Sequence, residues 1–376
     1  HLADYIQLNT PISATKAKNY VKQPLAIVAV SDNKVTAISS VQTGNLLDAL
    51  YTSANNDADE LNDYGGIQIG DTTQFRLWAP TALSVNVLLF NEAKQPIKQP
   101  LQMVQDAHTG SWFVEASNIP KNVFYQYQIT LYHPQSQKVE TLTTTDPYSL
   151  SLSTNSIYSQ VVDLNDKGTM PLGWLQQQDH PIKQPTDNIF YELHMGDFSS
   201  TDESVSKHNR GKYAAFSESS SNGINHLKLL KNAGINTIHL LPTFDIGTVN
   251  EQPNKAVTLN HTIAQICSNF SKLSLCASAS ANNIADKKQT LADMLKTLDP
   301  NSIEAQGIVS ELRAVDNYNW GYDPFHYTVP EGSYASHPDG ISRIKEFRQM
   351  VMSIHNLGFR VVMDVVYNHT HQAGLS

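Results

Sequence analysis

No stretch of this sequence reaches 18 consecutive apolar residues, so nothing in it is long enough to cross a membrane as a helix. Runs of Lys or Arg are absent and the formal net charge is −9, which argues against a nucleic-acid partner, since such partners select for a basic face. Cysteine is nearly absent too. Cys267 and Cys276 are the only two, nine positions apart in a Ser/Asn-rich stretch. They read either as two free thiols or as a local disulfide, and their confinement to one loop favours the bridge. A bridge closing so short a loop stabilises by at most ~3 kcal/mol and implies an oxidising compartment. The chain begins with His1 rather than Met and carries no signal peptide, which predicts a processed N-terminus.

What is present is ordinary globular composition, 40% hydrophobic and 16% charged, over 376 residues, enough for two or three domains with real cores. Residues 1–62 read as the end of a β domain, with "PLAIVAVSDNKVTAISS" alternating around a turn at Ser31-Asp32-Asn33. Residues 65–168 hold several short β-branched or aromatic strands ("TQFRLWAP", "SVNVLLFN", "GSWFVEA", "VFYQYQITLYH", "QVVDL"), the pattern of a β-sandwich. Residues 169–187 are polar and Pro-containing, a linker.

From residue 188 the rhythm changes. "NIFYELHM" reads as a buried-type strand. "GINHLKLLKNAG" reads as a helix with Leu227, Leu230 and Ala233 on one face and Gly234 at its end. "INTIHLLP" is the next strand. A second helix follows later, with Ile344, Phe347, Val351 and Ile354 on one face and Gly358 closing it; "FRVVMDVVYNH" is then a third strand. Strand–helix–strand–helix–strand means a parallel sheet, either doubly wound or the start of a (β/α)8 barrel. An insertion at 245–340 separates the second and third strands. It contains both cysteines, a helix with Leu291, Met294, Leu295 and Leu298 at helical spacing, and an aromatic-rich loop of the kind that shapes pockets.

Sites in parallel αβ sheets form at the carboxyl ends of the strands, where Asn368, His369 and His371 fall. Three readings are open there. One is a polar loop with a hydrogen-bonded histidine. Another is a metal pair, His369-x-His371, although metal hydrolases carry theirs on the first strand. The third is a sugar subsite, in which a neutral histidine donates to hydroxyls and the Tyr322 ring stacks on a pyranose face. Asn368-His369-Thr370 also fits a glycosylation sequon, at a strand end where access is poor. Trp78 and Trp112 would be stacking residues of a glucan-binding sandwich, but their strand-like surroundings fit core packing equally well.

Several of these stretches together resemble one family. "DVVYNHT" (Asp364 to Thr370) is similar to the first signature region of the α-amylase superfamily, glycoside hydrolase family 13. "YNWGYDPFHYTVPEGSYAS" (Tyr318 to Ser336) and "YELHMGDFS" (Tyr191 to Ser199) resemble segments of type I pullulanases. "FRLWAPTALSVNVLLFN" (Phe75 to Asn91) resembles the β-sandwich module preceding their barrel. "HLADYIQLNTPI" and "VQTGNLLDALY" resemble their N-terminal domain. Gly196 departs from the pattern, standing where the family usually carries a bulky basic residue, so charge pairing around Asp197 is not carried over.

The resemblance implies a multidomain chain: β-sandwich modules followed by an incomplete (β/α)8 barrel at 188–376, its first three strands only. It implies that Tyr322 and His369 bind one sugar and that Trp320 lines the pocket. Asp364, Asn368 and Asp323 would support that site. The paired Cys267 and Cys276 fit an insertion of secreted pullulanases. The implied activity is retaining hydrolysis of α-1,6-glucosidic linkages in pullulan, starch or glycogen by a secreted or cell-surface bacterial-type enzyme. No catalytic carboxylate is carried over, because the family's nucleophile and acid follow the fourth and fifth strands, after Ser376. The expectation is therefore a truncated, inactive chain. No cofactor is required, and no compact Asp-rich loop locates a structural calcium ion. A non-catalytic α-glucan-binding protein is the alternative.

Overall fold

The structure, a computed structural model, describes residues 11–177, 180–252, 255–276 and 288–371. Most of "HLADYIQLNTPI" thus lies outside the described residues. The chain divides into two compact units, the first ending at Tyr148 and the second beginning at Ser149.

The first unit opens with helix α1 (Ala14–Tyr20), a hairpin of β1 (Ala26–Ser31) and β2 (Lys34–Ser40), and helix α2 (Gly44–Tyr51). The hairpin turns on Asp32 (φ 51°) and Asn33 (φ 58°), two residue types that tolerate the left-handed region a two-residue turn demands. The hairpin falls where the sequence suggested it. The two helices were not expected, and "VQTGNLLDALY" turns out to be mostly α2.

Behind these lies a two-sheet assembly. One sheet joins β3 (Gly65–Ile69), β4 (Thr72–Trp78), β7 (Val104–Gln105) and β8 (Ser111–Ser117) in the order β3-β4-β8-β7. The other contains β5 (Ala82–Phe90), β6 (Leu101–Gln102), β9 (Phe124–His133) and β10 (Lys138–Thr144) in the order β10-β9-β5-β6. Alternate residues Val85, Val87 and Leu89 are buried, as the period of two requires. Phe75 meets Tyr125 edge to face at 5.0 Å, which locks β4 to β9. Buried Asp146 accepts from the hydroxyls of Tyr125 (2.8 Å) and Tyr127 (3.1 Å), so the polar ends of both rings are satisfied inside the core.

In the second unit a short strand, β11 (Ser159–Gln160), bridges to Leu152. Three parallel strands follow: β12 (Phe190–Leu193), β13 (Thr237–Leu240) and, later, β16 (Arg360–Met363), in the order β12-β13-β16. Helix α3 (Asn222–Asn232) links the first two. Ser221 caps it through its side chain, and Gly234 (φ 103°) ends it. Ile224 and Leu227 bury its inner face, while Ala233, expected on that face, is exposed because the helix has already ended. Helix α7 (Ser342–Asn356) precedes β16 and buries Ile344, Met350 and Ile354. Met350 and Ile354, with Met195, Tyr213, Ile238, Leu240 and Phe359, belong to the core of this unit.

Two strand expectations need correction. β12 is less buried than a buried-type strand: paired on one side only among the described residues, it leaves Phe190 52% exposed, and only Leu193 is buried. β16 stops at Met363, so Asp364 is the first residue past the strand rather than a carboxylate inside it.

The insertion contains β14 (Phe244–Ile246), helices α4 (Ile263–Asn269), α5 (Leu291–Lys296) and α6 (Ile303–Leu312), and β15 (Pro324–Pro330). The aromatic-rich stretch is therefore part strand, since β15 pairs antiparallel with β14. The helices share a small core of their own, including Ile263, Ile266, Leu291 and Ile308, and Met294, Leu295 and Leu298 pack against it. Cys267 and Cys276 are joined in a disulfide at its edge.

Candidate active-site rim

The segment Tyr318–Asp323 lies across the carboxyl ends of all three parallel strands. After β12, the His194 ring donates from Nε2 to the carbonyl of Asn319 (2.8 Å). The backbone N–H of Asp197 donates to His194 Nδ1 (3.2 Å), which fixes the neutral tautomer with its proton on Nε2. After β13, Gly321 (φ 93°) presses against Pro242 so closely that a Cβ there would stand 2.7 Å from the Pro242 carbonyl oxygen. After β16, Asp364 accepts from the Tyr322 hydroxyl at 2.6 Å. Asn319 braces the segment from within, donating to Asp323 Oδ2 (2.7 Å) and accepting from Gly321 N (2.7 Å).

Tyr322, Asp364 and His369 therefore come together. His369 Nε2 donates to the Tyr322 carbonyl (2.8 Å) and Nδ1 faces Asn368 Oδ1 (3.0 Å). Both ring nitrogens are engaged, so this histidine as it stands holds the Tyr322 backbone; direct bonding to a sugar requires it to exchange a partner. The Asp364 carboxylate holds the proton on Tyr322, pushing the phenol up to about 12, with burial adding to the effect. The ring itself stays 36% exposed, available to stack on a ligand. Trp320 is 56% exposed on the same segment. Asp323 accepts from Thr248 Oγ1 (3.1 Å) as well as Asn319, a supporting position.

Among the described residues no cluster of three potential metal ligands contains His369 or His371, and the His371 ring packs against Gly247. The buried carboxylates Asp245, Glu251 and Glu331 do bring oxygen atoms within 4.8 Å of one another. Arg343 already supplies a cation there, 2.9 Å from Glu251 and 3.6 Å from Asp245. Of the two sandwich tryptophans, Trp112 is turned inward and Trp78 is half-buried. Trp112 is 7% exposed with its indole N–H on the Ala79 carbonyl, and Trp78 donates to the Thr109 carbonyl.

Sequence reasoning missed two contributors. Tyr327 donates to the His369 carbonyl (2.6 Å) and steadies the loop after β16. Buried Tyr334 backs the His194 ring, 3.1 Å from Nε2. The only signal for either was the density of aromatics in "YNWGYDPFHYTVPEGSYAS".

Comparison with known proteins sets the class first. Residues 63–149, covering the two-sheet assembly, match the family of carbohydrate-binding module 48, the isoamylase N-terminal domain. Over its full length the chain is homologous to pullulanases. It is 39% identical to the pullulanase of Klebsiella pneumoniae, over 100% of this chain and 34% of that protein. It is 42% identical to that of Klebsiella aerogenes, over 82% of this chain and 29% of that one. The crystal structure of the maltotriose complex of PulA from Klebsiella pneumoniae superposes with a TM-score of 0.86 at 39% identity, covering 95% of this chain and 39% of that one. The chain thus spans about a third of the length of the relatives it matches.

Proposed function

We propose that these residues form part of a pullulanase-type debranching enzyme that hydrolyses α-1,6-glucosidic linkages in pullulan, starch or glycogen with retention. The three parallel strands are the start of a (β/α)8 barrel, and the rim at their carboxyl ends is one side of its active site. The observation that carries this reading is the convergence of Tyr322, Asp364 and His369 on a braced loop across that rim. Tyr322 stacks beneath the sugar at the cleavage position, Trp320 lines the pocket beside it, and Asp364 fixes the Tyr322 ring by its hydroxyl. The nucleophile and acid that a retaining glycosidase requires come from chain beyond these residues. The maltotriose bound by the Klebsiella pneumoniae relative supports an α-glucan ligand. The disulfide supports secretion or a cell-surface location.

The test is reducing-sugar release from pullulan by a protein in which this chain is joined to the remaining two thirds. Expected is robust release, with Tyr322→Ala lowering kcat/KM by roughly 10²-fold or more through lost positioning. Wild-type activity in Tyr322→Ala would overturn the assignment. Trp112 is turned inward, so of the two stacking residues of the binding-only alternative Trp78 alone keeps a partly accessible ring.

A further inference from the structure

Among the described residues two triads of carboxylates each bring oxygen atoms within 4.8 Å of one another. They differ in what balances their charge. Asp245, Glu251 and Glu331 have Arg343 as an internal cation. Asp57, Asp59 and Glu60, in the first unit, have no Lys, Arg or His paired with them among the described residues. Arg76, the basic residue that reaches this stretch, is held by Asp63 at 2.7 Å.

A single 3₁₀ turn, Ala58–Glu60, gathers this second triad between α2 and β3. The Ala54 N–H donates to Asp57 Oδ2 (2.6 Å), and the Asp57 N–H donates to Glu60 Oε2 (2.9 Å). The Tyr64 hydroxyl donates to the Ala58 carbonyl (2.9 Å) and pins the turn. Capping accounts for Oδ2 but not for Asp57 Oδ1. Asp57 is 2% exposed, and Oδ1 meets no hydrogen-bond donor among the described residues. A buried carboxylate oxygen left this way is costly. The Asp59 and Glu60 carboxyl groups also lie within hydrogen-bond reach of Asp57. Ionised carboxylates keep such a contact only with a proton or a cation shared between them.

We propose that Asp57, Asp59 and Glu60 bind one calcium ion, which fixes the turn leading into the first sandwich strand. An oxygen-only donor set suits a hard cation. Calcium takes its ligands at 2.3–2.6 Å in a flexible shell, so opposite oxygens stand roughly 5 Å apart, a span that accommodates this triad. Magnesium demands shorter bonds in a near-ideal octahedron. Backbone carbonyls and water complete the shell. The ligands all come from one turn of the first unit, so the site is independent of the sugar-binding reading. The spacing of 57, 59 and 60 is not that of a calcium-loop motif; the turn, not a sequence pattern, brings the carboxylates together.

The test strips the 376-residue chain with EDTA and returns calcium during isothermal titration and thermal melts followed by circular dichroism. One ion is expected to bind with a Kd on the order of 10⁻⁴ M. At hundredfold excess over that Kd the melting temperature should rise by about 5 °C, and magnesium at the same concentration should move it by no more than about 1 °C. Asp59→Asn and Glu60→Gln keep the side-chain shapes and the capping acceptor but each remove one charged ligand. Each should weaken calcium binding at least ~10-fold, yet melt no lower than the unsubstituted chain in EDTA, because repulsion within the triad falls. Acids held by hydrogen bonds alone would instead leave the variants in the same rank with and without calcium. Glu331→Gln, in the other triad, should leave calcium affinity within about twofold. Absence of calcium binding, or binding that Asp59→Asn and Glu60→Gln keep at full strength, overturns the proposal. An equal response to magnesium overturns the choice of calcium.

Discussion

Arg343 is a guanidinium with no exposure to water, sunk among three carboxyl groups that are equally buried. It donates to Glu251 Oε2 (2.9 Å) and to the carbonyls of Pro338 (2.8 Å), Pro330 (3.2 Å) and Ser153 (3.1 Å). Asp245 accepts from Ser156 Oγ (2.6 Å) and faces His326 Nδ1 (2.7 Å). One cation cannot balance three ionised carboxylates in a dry interior. Burial, reinforced by the charges of Glu251 and Asp245, pushes the Glu331 carboxyl up to about 8, so at neutral pH it keeps its proton. The sign follows. Glu331 is more basic folded than unfolded, so the folded state binds the extra proton, and its stabilising share is intact in acid. It is lost as pH rises from the ordinary carboxylate range to about 8. Glu331→Gln mimics the protonated form. The variant should therefore match the parent near pH 5 and gain on it by up to ~1.4 kcal/mol per pH unit toward pH 8, measured by urea melts. A constant difference across that range would show that Glu331 does not hold the proton. Arg343→Met is expected to be far worse, destabilising by about 3–5 kcal/mol in the same melts because it strands the carboxylates.

At the scale of elements, the rim segment depends on one glycine. Gly321 sits at φ 93° with the Pro242 carbonyl where a Cβ would be, so Gly321→Ala meets both backbone strain and a clash with main chain. It should cost at least ~1 kcal/mol, readable by the same melts. The helical insertion behaves differently. Replacing Cys267 and Cys276 by Ser removes a tie worth at most ~3 kcal/mol within a core separate from the rim, so stability should fall and sugar affinity should not. The elements most legible in the sequence were those with strong local signals. α3 and α7 have apolar spacing and a terminal Gly, the hairpin has Asp32-Asn33, and the sandwich strands alternate. Also legible was that Tyr322 and His369 belong together, through motif resemblance rather than spacing. Illegible were contacts made over long separations between residue types that carry no pattern. Arg343 looks like any helix-surface arginine until Glu251, 92 positions away, is placed beside it. His369 read as a free sugar donor because nothing local reveals that the Tyr322 carbonyl occupies its Nε2.

At the scale of the molecule, the parallel sheet of the second unit is where the barrel proposal is open to test. Among the described residues, β12 and β16 each pair on one side only. Phe190, Val362, Met363, Val365 and Tyr367, on or just past these strands, are between 36% and 72% exposed. Large apolar side chains beside unpaired strand edges are a template for association, a hazard that a closed barrel removes by having no edges. Residues 185–376 expressed alone should therefore self-associate or melt without cooperativity, in analytical ultracentrifugation and calorimetry respectively. Edge-directed charge should relieve it: Val362→Lys and Val365→Lys, on the exposed side of the last strand and beyond it, are expected to shift the fragment toward monomer without touching Tyr322 or Asp364. Because hydrolysis needs the two carboxylates proposed to lie elsewhere, neither the fragment nor the 376-residue chain should release reducing sugar from pullulan. A monomeric 185–376 segment with one sharp, reversible transition would show that the three strands are a finished sheet, and the barrel assignment would fall with it.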